Sequence, residues 1–256
     1  MLKSERQNII LDLICQQNNV RVSELKTLFE VSDETIRRDF SEMEKKGLLR
    51  VVHGGAVYDS PTTNEYQIDL RIKKNRQEKE AICSEAAKYI DDGMSVAIVS
   101  STTTWPMGKF LTLKNRLTVV TNSIMLAQQI AKNKENRVIL VGGVLWQEDQ
   151  KLMGSATEDT FSQFNVDVVL FSAAGITVKQ GITDYNETEV ELTKTVLKTG
   201  RKIIMLNDFT KFGTVAFRKI ADIGAVDTII TDWNVSAGDH TDITDLGIDI
   251  IRASKA

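Results

Sequence analysis

"VSDETIRRDF", residues 31–40, places two adjacent arginines inside a stretch with helical spacing. Ser32 is suited to cap that helix, and Asp33 and Glu34 fall in its first turn, where negative charge meets the positive end of the helix dipole. Ile36, Phe40 and Met43 recur at i, i+4 and i+7 and predict a buried stripe. Thr35, Arg37, Arg38 and Ser41 then lie on or beside the outward face. Lys45 and Lys46 suit the last turn, and Gly47 supplies a left-handed stop. An arginine pair on a helix is, taken alone, a solvated face, so its neighbours decide the reading.

Upstream, residues 5–17 predict a helix with Ile9, Ile10, Leu13 and Ile14 on one face, ended by "NNV". A second helix starts at Ser23 as its cap and is expected to bury Leu25, Leu28 and Phe29. Short helices joined by a tight turn predict a helix-turn-helix, whose second helix enters the major groove of DNA. Downstream, "LLRVVHGGAV" (48–57) reads as a strand carrying Arg50 and His53, then a Gly-Gly turn: a wing. Residues 1–57 are therefore expected to form a winged helix-turn-helix domain that binds double-stranded operator DNA. Its contact residues would be Ser32, Thr35, Arg37, Arg38, Ser41, Arg50 and His53. Arginine matches guanine edges and phosphates bidentately, and a threonine bonds phosphate or touches a thymine methyl.

Bulk charge does not carry this expectation. Residues 1–57 hold nine basic and nine acidic side chains, and the 256-residue chain has a net charge of −3. Duplex affinity comes largely from neutralised phosphates. Local placement must supply it, and a homo-oligomer would multiply the contacts.

Residues 58–80 read as a connector: "YDSPTTNEY" is polar and contains proline, and "DLRIKKNRQEKE" (69–80) looks like a charged, solvated helix start. From residue 81 to 256 the pattern changes. Apolar runs recur at 95–99, 117–121, 137–141, 166–171, 202–206, 227–231 and 248–252, with helical stretches between several of them, such as 124–132 and 187–197. Continuous apolar strands alternating with helices predict an α/β domain with a mostly parallel sheet covered on both faces.

Ligands of such sheets bind beyond the carboxyl ends of the strands. There the sequence places Ser100, Ser101, Thr102, Thr103 and Thr104, then Asn122, Gly142 with Gly143, Gly175, and finally Asp208 with Lys211. Hydroxyls and backbone N–H groups hold anions, and glycine lets a backbone come close to a ligand. Each residue has an ordinary role as cap, turn or surface charge; together at one edge they predict a small, phosphorylated, hydroxyl-rich ligand. No GxGxxG or GxxxxGK[ST] loop occurs, so neither NAD nor ATP is expected, and no cofactor. His53 and His240 lack metal-ligand spacing. Cys15 and Cys83 read as buried thiols. No apolar run approaches the roughly 20 residues that cross a bilayer, and "MLKSERQNII" is unlike a signal peptide, so a cytoplasmic protein is expected.

The motifs, in order, resemble a known family. "VSDETIRRDFSEMEKKGLLRVVHGGA" is similar to the N-terminal signature of DeoR family bacterial transcriptional regulators. "LTVVTNS", "VILVGG", "MGSATEDTF", "VDVVLFSAAGI", "GIT" and "NDFTKFG" resemble its C-terminal sensor domain, and the likeness spans nearly the whole chain. The resemblance implies a winged helix-turn-helix repressor of a carbohydrate-utilisation operon. Its Rossmann-like sensor domain would be related to sugar-phosphate isomerases, its effector a phosphorylated sugar, and its state a dimer or tetramer. One loop departs from the family pattern. Asp-Ser-Gly-Thr-Thr is expected after the first sensor strand, and Val99-Ser100-Ser101-Thr102-Thr103 stands there. Two alternatives follow. One is an isomerase-like enzyme with a fused DNA-binding domain, using Glu187 or Glu189 as base and Lys211 as electrophile. The other is a regulator that has lost effector sensing.

Overall fold

A computed structural model of the chain describes residues 2–17, 19–45, 47–57 and 68–255, with the side chains at 12, 15–17 and 68–70 excepted. The expectations for Cys15, for Lys46 and for the connector at 58–67 lie outside the described residues. The chain divides into two compact units, Met1–Arg76 and Gln77–Ala256.

The first unit runs α1 (Lys3–Gln17), β1 (Asn19–Arg21), α2 (Val22–Phe29), α3 (Asp33–Lys45), β2 (Arg50–Val52), β3 (Gly55–Val57) and α4 (Ile68–Lys73). Ile10, Ile14, Leu25, Ile36, Phe40 and Met43 are buried together, with Val20 and Ala56 of the small sheet closing the core. The sheet has the order β1-β3-β2, all antiparallel, and β2 and β3 form the wing hairpin around His53 and Gly54. Ser32 caps α3 through its Oγ, 3.2 Å from Thr35 N. Gly47 ends the helix at φ +67°, and Leu48 N returns to Met43 O at 3.0 Å.

Three details of the helix faces differ from the sequence reading. Ile9 and Leu28 are 38% and 58% exposed. On α1 the inward face passes instead through Arg6, Gln7, Ile10, Leu11 and Ile14, because Arg6 is buried as the partner of Asp39 on α3. Ser23 lies inside α2, whose cap position is Arg21 with no side-chain hydrogen bond.

The second unit contains α5 (Arg76–Ala86), β4 (Ser95–Ile98), α6 (Met107–Leu111), β5 (Thr118–Thr121), α7 (Ile124–Ile130), β6 (Arg137–Leu140), β7 (Val144–Trp146), β8 (Lys151–Met153) and α8 (Ser155–Ser162). It continues with β9 (Val166–Phe171), β10 (Gly175–Thr177), β11 (Gly181–Asp184), α9 (Glu187–Leu197), β12 (Gly200–Leu206), β13 (Arg218–Ala221), β14 (Thr228–Thr231), α10 (Ala237–Thr244) and β15 (Asp249–Arg252). The seven expected apolar runs are the seven strands of one sheet, in the order β15-β14-β12-β9-β4-β5-β6, and every pairing is parallel. Alternate residues feed opposite layers. Val96, Ile98, Val119, Leu170, Ile204 and Leu206 pack on one side, and Ala97, Val120, Val169, Phe171 and Met205 on the other. Short strands form two further sheets, β7-β8 and β10-β11-β13.

The order has a consequence for ligands. The chain builds β4, β5 and β6 outward in one direction, then returns to place β9, β12, β14 and β15 in the other. The reversal lies between β4 and β9. In doubly wound sheets the crevice at the carboxyl ends of such a strand pair is where ligands bind.

Candidate nucleic-acid interface and effector crevice

On α3, Glu34, Arg37, Arg38, Ser41 and Lys45 are all exposed, at i, i+3, i+4, i+7 and i+11, while Ile36, Asp39, Phe40 and Met43 are buried on the opposite side. Thr35 is half-buried beside its cap. Arg38 is drawn loosely toward Glu42, its Nε 3.8 Å from the carboxylate, and keeps 83% of its side chain exposed. Arg37 makes no ion pair or hydrogen bond among the described residues. Arg50 and His53 are exposed on the wing. The face therefore offers two guanidinium groups on a helix whose reverse side is locked.

The lock is partly polar, which the apolar spacing did not reveal. Arg6 Nε donates to Asp39 Oδ2 at 2.5 Å, and Gln7 Nε2 to Asp39 Oδ1 at 3.3 Å, all three residues being buried. Glu42 accepts from Lys3 and lies 3.5 Å from Gln7 Nε2. The hydrogen bond from Lys3 holds the Glu42 carboxyl below its ordinary range. At the other end of α3, Glu44 Oε1 accepts from Val51 N at 2.6 Å and ties the wing to the helix.

In the second unit, the stretch after β4 folds back on itself. Ser100 N donates to Asn122 Oδ1 at 2.8 Å, and Ser101 N to Thr104 Oγ1 at 2.9 Å. Thr104 Oγ1 in turn donates to Val99 O at 2.8 Å. Thr102, Thr103 and Thr104 are buried, and Ser100 and Ser101 are half-buried. Five hydroxyls were expected to face a ligand together; those of Ser101 and Thr104 are spent on the loop's own backbone. Asn122, fully buried, also donates to Leu152 O at 3.0 Å, so it braces β4 against β8. Gly143 serves packing: a Cβ there would lie 2.1 Å from Thr157 Oγ1 and 2.7 Å from Met153 O. Gly142 O accepts from Thr157 Oγ1 at 2.8 Å. Gly175 sits under Thr214 of the segment that follows Lys211.

Cations gather at the same edge. Lys79 of α5 is buried and its Nζ lies 3.2 Å from Thr102 Oγ1. Burial pushes the Asp208 carboxyl up, but the charges of Lys211 and then Lys79, with hydrogen bonds from Thr210, hold it below its ordinary value. Asp208, at the carboxyl end of β12, is thus kept as an anion by the charges of both lysines. The 69–80 stretch, expected as a solvated helix start, is corrected at Lys79, whose ammonium points into the fold toward Thr102. The helix α5 also runs through residue 80, where the connector was expected to end.

Two family models match most of the chain: the DeoR-like helix-turn-helix domain matches residues 6–62, and the DeoR C terminal sensor domain matches residues 74–233. The chain belongs to the DeoR family of transcriptional regulators. Among DeoR-type relatives, the HTH-type transcriptional regulator GolR of Listeria innocua is 33% identical over 98% of each chain. The glycerol-3-phosphate regulon repressor of Escherichia coli is 32% identical over 91% of this chain and 92% of its own. Of solved structures, a D-ribose-5-phosphate isomerase in complex with phospho-erythronic acid covers 52% of each chain at 16% identity and a TM-score of 0.39.

Several polar residues of this DeoR sensor domain escaped the sequence reading. Asn207 joins the ends of β9 and β12, accepting from Ser172 Oγ at 2.7 Å and Ala173 N at 3.0 Å. Asp232 accepts from Phe209 N at 2.8 Å and Asn234 N at 2.9 Å, and burial raises its carboxyl above the ordinary value. Lys151 is buried between Asp149 at 2.5 Å and Glu189 at 2.7 Å, with Trp146 beneath it. Only the polar residue following each strand end was a usable signal, and it pointed to Asn207 and Asp232 but not to Lys151 or Lys79.

Proposed function

We propose that this protein is an operator-binding repressor of a carbohydrate-utilisation operon whose DNA affinity is set by a phosphorylated sugar. In this reading Arg37 and Arg38 dock α3 in the major groove, with Ser32, Thr35 and Ser41 beside them and Arg50 and His53 of the wing on the backbone. The effector lies at the carboxyl ends of β4, β9 and β12. There Lys79 and Lys211 meet its phosphate, and Asp208 and Asn122 order the walls. A cytoplasmic homo-oligomer fits this reading, since a symmetric operator is matched by a symmetric protein.

The observation that carries the effector reading is the buried Lys79, set against Thr102 and Asp208 at the point where strand order reverses. A buried cation beside a hydroxyl-rich turn is a site for an anion, and a phosphate is bound there by charge-assisted hydrogen bonds. The glycerol-3-phosphate regulon repressor among the relatives supports the same ligand class. The isomerase-like alternative gains no support from the geometry. Glu189 is paired with Lys151, and Glu187 with Arg218 at 2.6 Å, so both proposed bases are held by cations.

Footprinting of the full chain on genomic DNA, with and without a panel of sugar phosphates, tests the proposal. Discrete protected sites are expected, with occupancy changed by at least one member of the panel. Equal binding to promoter fragments and random duplex would overturn the reading.

A further inference from the structure

We infer that Ser101 sets the anion affinity of the effector crevice: its hydroxyl occupies the amide donors of Thr103 and Thr104, so an anion that binds through them has to displace it. The inference rests on the reading of the crevice as an anion site. Ser101 Oγ accepts from Thr104 N at 3.0 Å and from Thr103 N at 3.2 Å. Three neighbouring amides are engaged as well. Ser100 N is held by Asn122, Ser101 N by Thr104 Oγ1, and Trp105 N by Ser101 O at 3.0 Å. Backbone N–H groups that converge in a turn make an anion-binding concavity. In this turn those of Thr103 and Thr104 already face an oxygen of the chain.

The arrangement has the form of a built-in competitor. The seryl oxygen is neutral, and a phosphate oxygen is charged, so a phosphate makes the stronger bonds. It still has to release the hydroxyl first, and that lowers its net affinity. The cation that makes phosphate the relevant competitor is the buried Lys79, on the Thr102 side of the same turn. The same helix grips the turn a second time, through Cys83 Sγ donating to Thr103 O at 3.0 Å. The anion expected at this turn is accordingly a phosphate held more weakly than it would be without the seryl oxygen.

The test titrates inorganic phosphate into the full chain by calorimetry at constant ionic strength, for the wild type, Ser101→Gly and Ser101→Ala. Both variants remove the oxygen, and the second keeps the proposal testable where glycine loosens the turn; circular dichroism checks that each is folded. Both are expected to bind phosphate about tenfold more tightly, the equivalent of one or two net hydrogen bonds. Adding Lys79→Met to Ser101→Gly is expected to abolish the gain. Unchanged or weaker binding in both single variants would overturn the inference, as would a gain that survives Lys79→Met, since the phosphate would then sit elsewhere. No DNA enters this experiment. A failed operator response therefore counts against the repressor reading, an absence of any phosphate binding counts against the crevice as an anion site, and equal binding by wild type and both single variants counts against this inference alone.

Discussion

Arg37 and Arg38 are neighbours in sequence but not equivalent in surroundings. Arg38 has Glu42 one turn on, whereas Arg37 is uncommitted among the described residues. Arg37 is therefore expected to read a base edge and Arg38 to meet a phosphate. Arg37→Ala should cost about 1–3 kcal/mol of operator binding and relax the preference at one base position. Arg38→Ala should weaken all sequences alike and reduce the salt slope by about 1. Gel-shift titrations on operator and random duplex over a range of salt separate the two, and the reverse pattern would exchange the roles. Lys151 carries a different kind of residue-scale prediction. Burial pulls its ammonium down, but Glu189 and then Asp149 more than reverse this, so its folded pKa lies above the ordinary 10.5. A cation raised in this way stabilises the fold fully below the unfolded pKa, and the contribution disappears as pH rises through the folded value. Lys151→Met removes the buried cation shared by Asp149 and Glu189 and should cost about 3–5 kcal/mol at pH 7. Urea melts should find the gap to wild type narrowing at pH above about 10.5. A gap constant with pH would show that packing on Trp146, not charge, is what Lys151 provides.

At the scale of the element, α3 is a helix with two jobs on two faces. Its inner face joins apolar packing to the Arg6–Asp39 pair. Asp39→Ala strands a buried guanidinium and should destabilise the unit by about 3–5 kcal/mol, measured by thermal or urea unfolding. Its outer end sets the wing through Glu44 and Val51 N. Glu44→Ala should cost only about 0.5–1.5 kcal/mol of stability yet lower operator affinity, because the hairpin loses its tether; unchanged affinity would leave the wing without a part in binding. The stripe Ile36, Phe40 and Met43 was readable from spacing alone, as were all seven strands of the large sheet, since parallel strands buried on both faces are continuous apolar runs. The three-residue strands β7, β8 and β10 were not, because so short a run has no readable period. Ile9 was assigned inward because the apolar count could not see a buried arginine turning α1. Lys79 was hidden in a charged run for the same reason: its burial depends on Thr102, which lies far along the chain. Asn122 and Asp208 could be placed at the carboxyl edge of the sheet from sequence because each closely follows a parallel strand.

For the whole molecule the question is how the crevice reaches the DNA-binding face. The sensor unit begins with α5, so the chain from the first unit enters it through that helix. The helix holds the hydroxyl turn at two points one helical turn apart, Lys79 on Thr102 and Cys83 on Thr103. A ligand that reorders the turn must therefore act on α5. Coupling between sites is a free energy and is reciprocal: whatever factor the effector imposes on operator affinity, the operator imposes on effector affinity. A ligand at 100 times its dissociation constant should also stabilise the protein by about 2.7 kcal/mol. Lys79→Met keeps most of the length of the side chain and removes its charge. With an effector found by footprinting, the ratio of operator dissociation constants with and without ligand should fall to about one in this variant, and the ligand-induced shift in melting temperature should vanish with it. If the shift vanished while the ratio held, binding and signalling would run through different groups. If both persisted at the wild-type ligand concentration, the buried lysine would have no part in sensing, and the crevice would have to be rebuilt around Lys211 and Asp208.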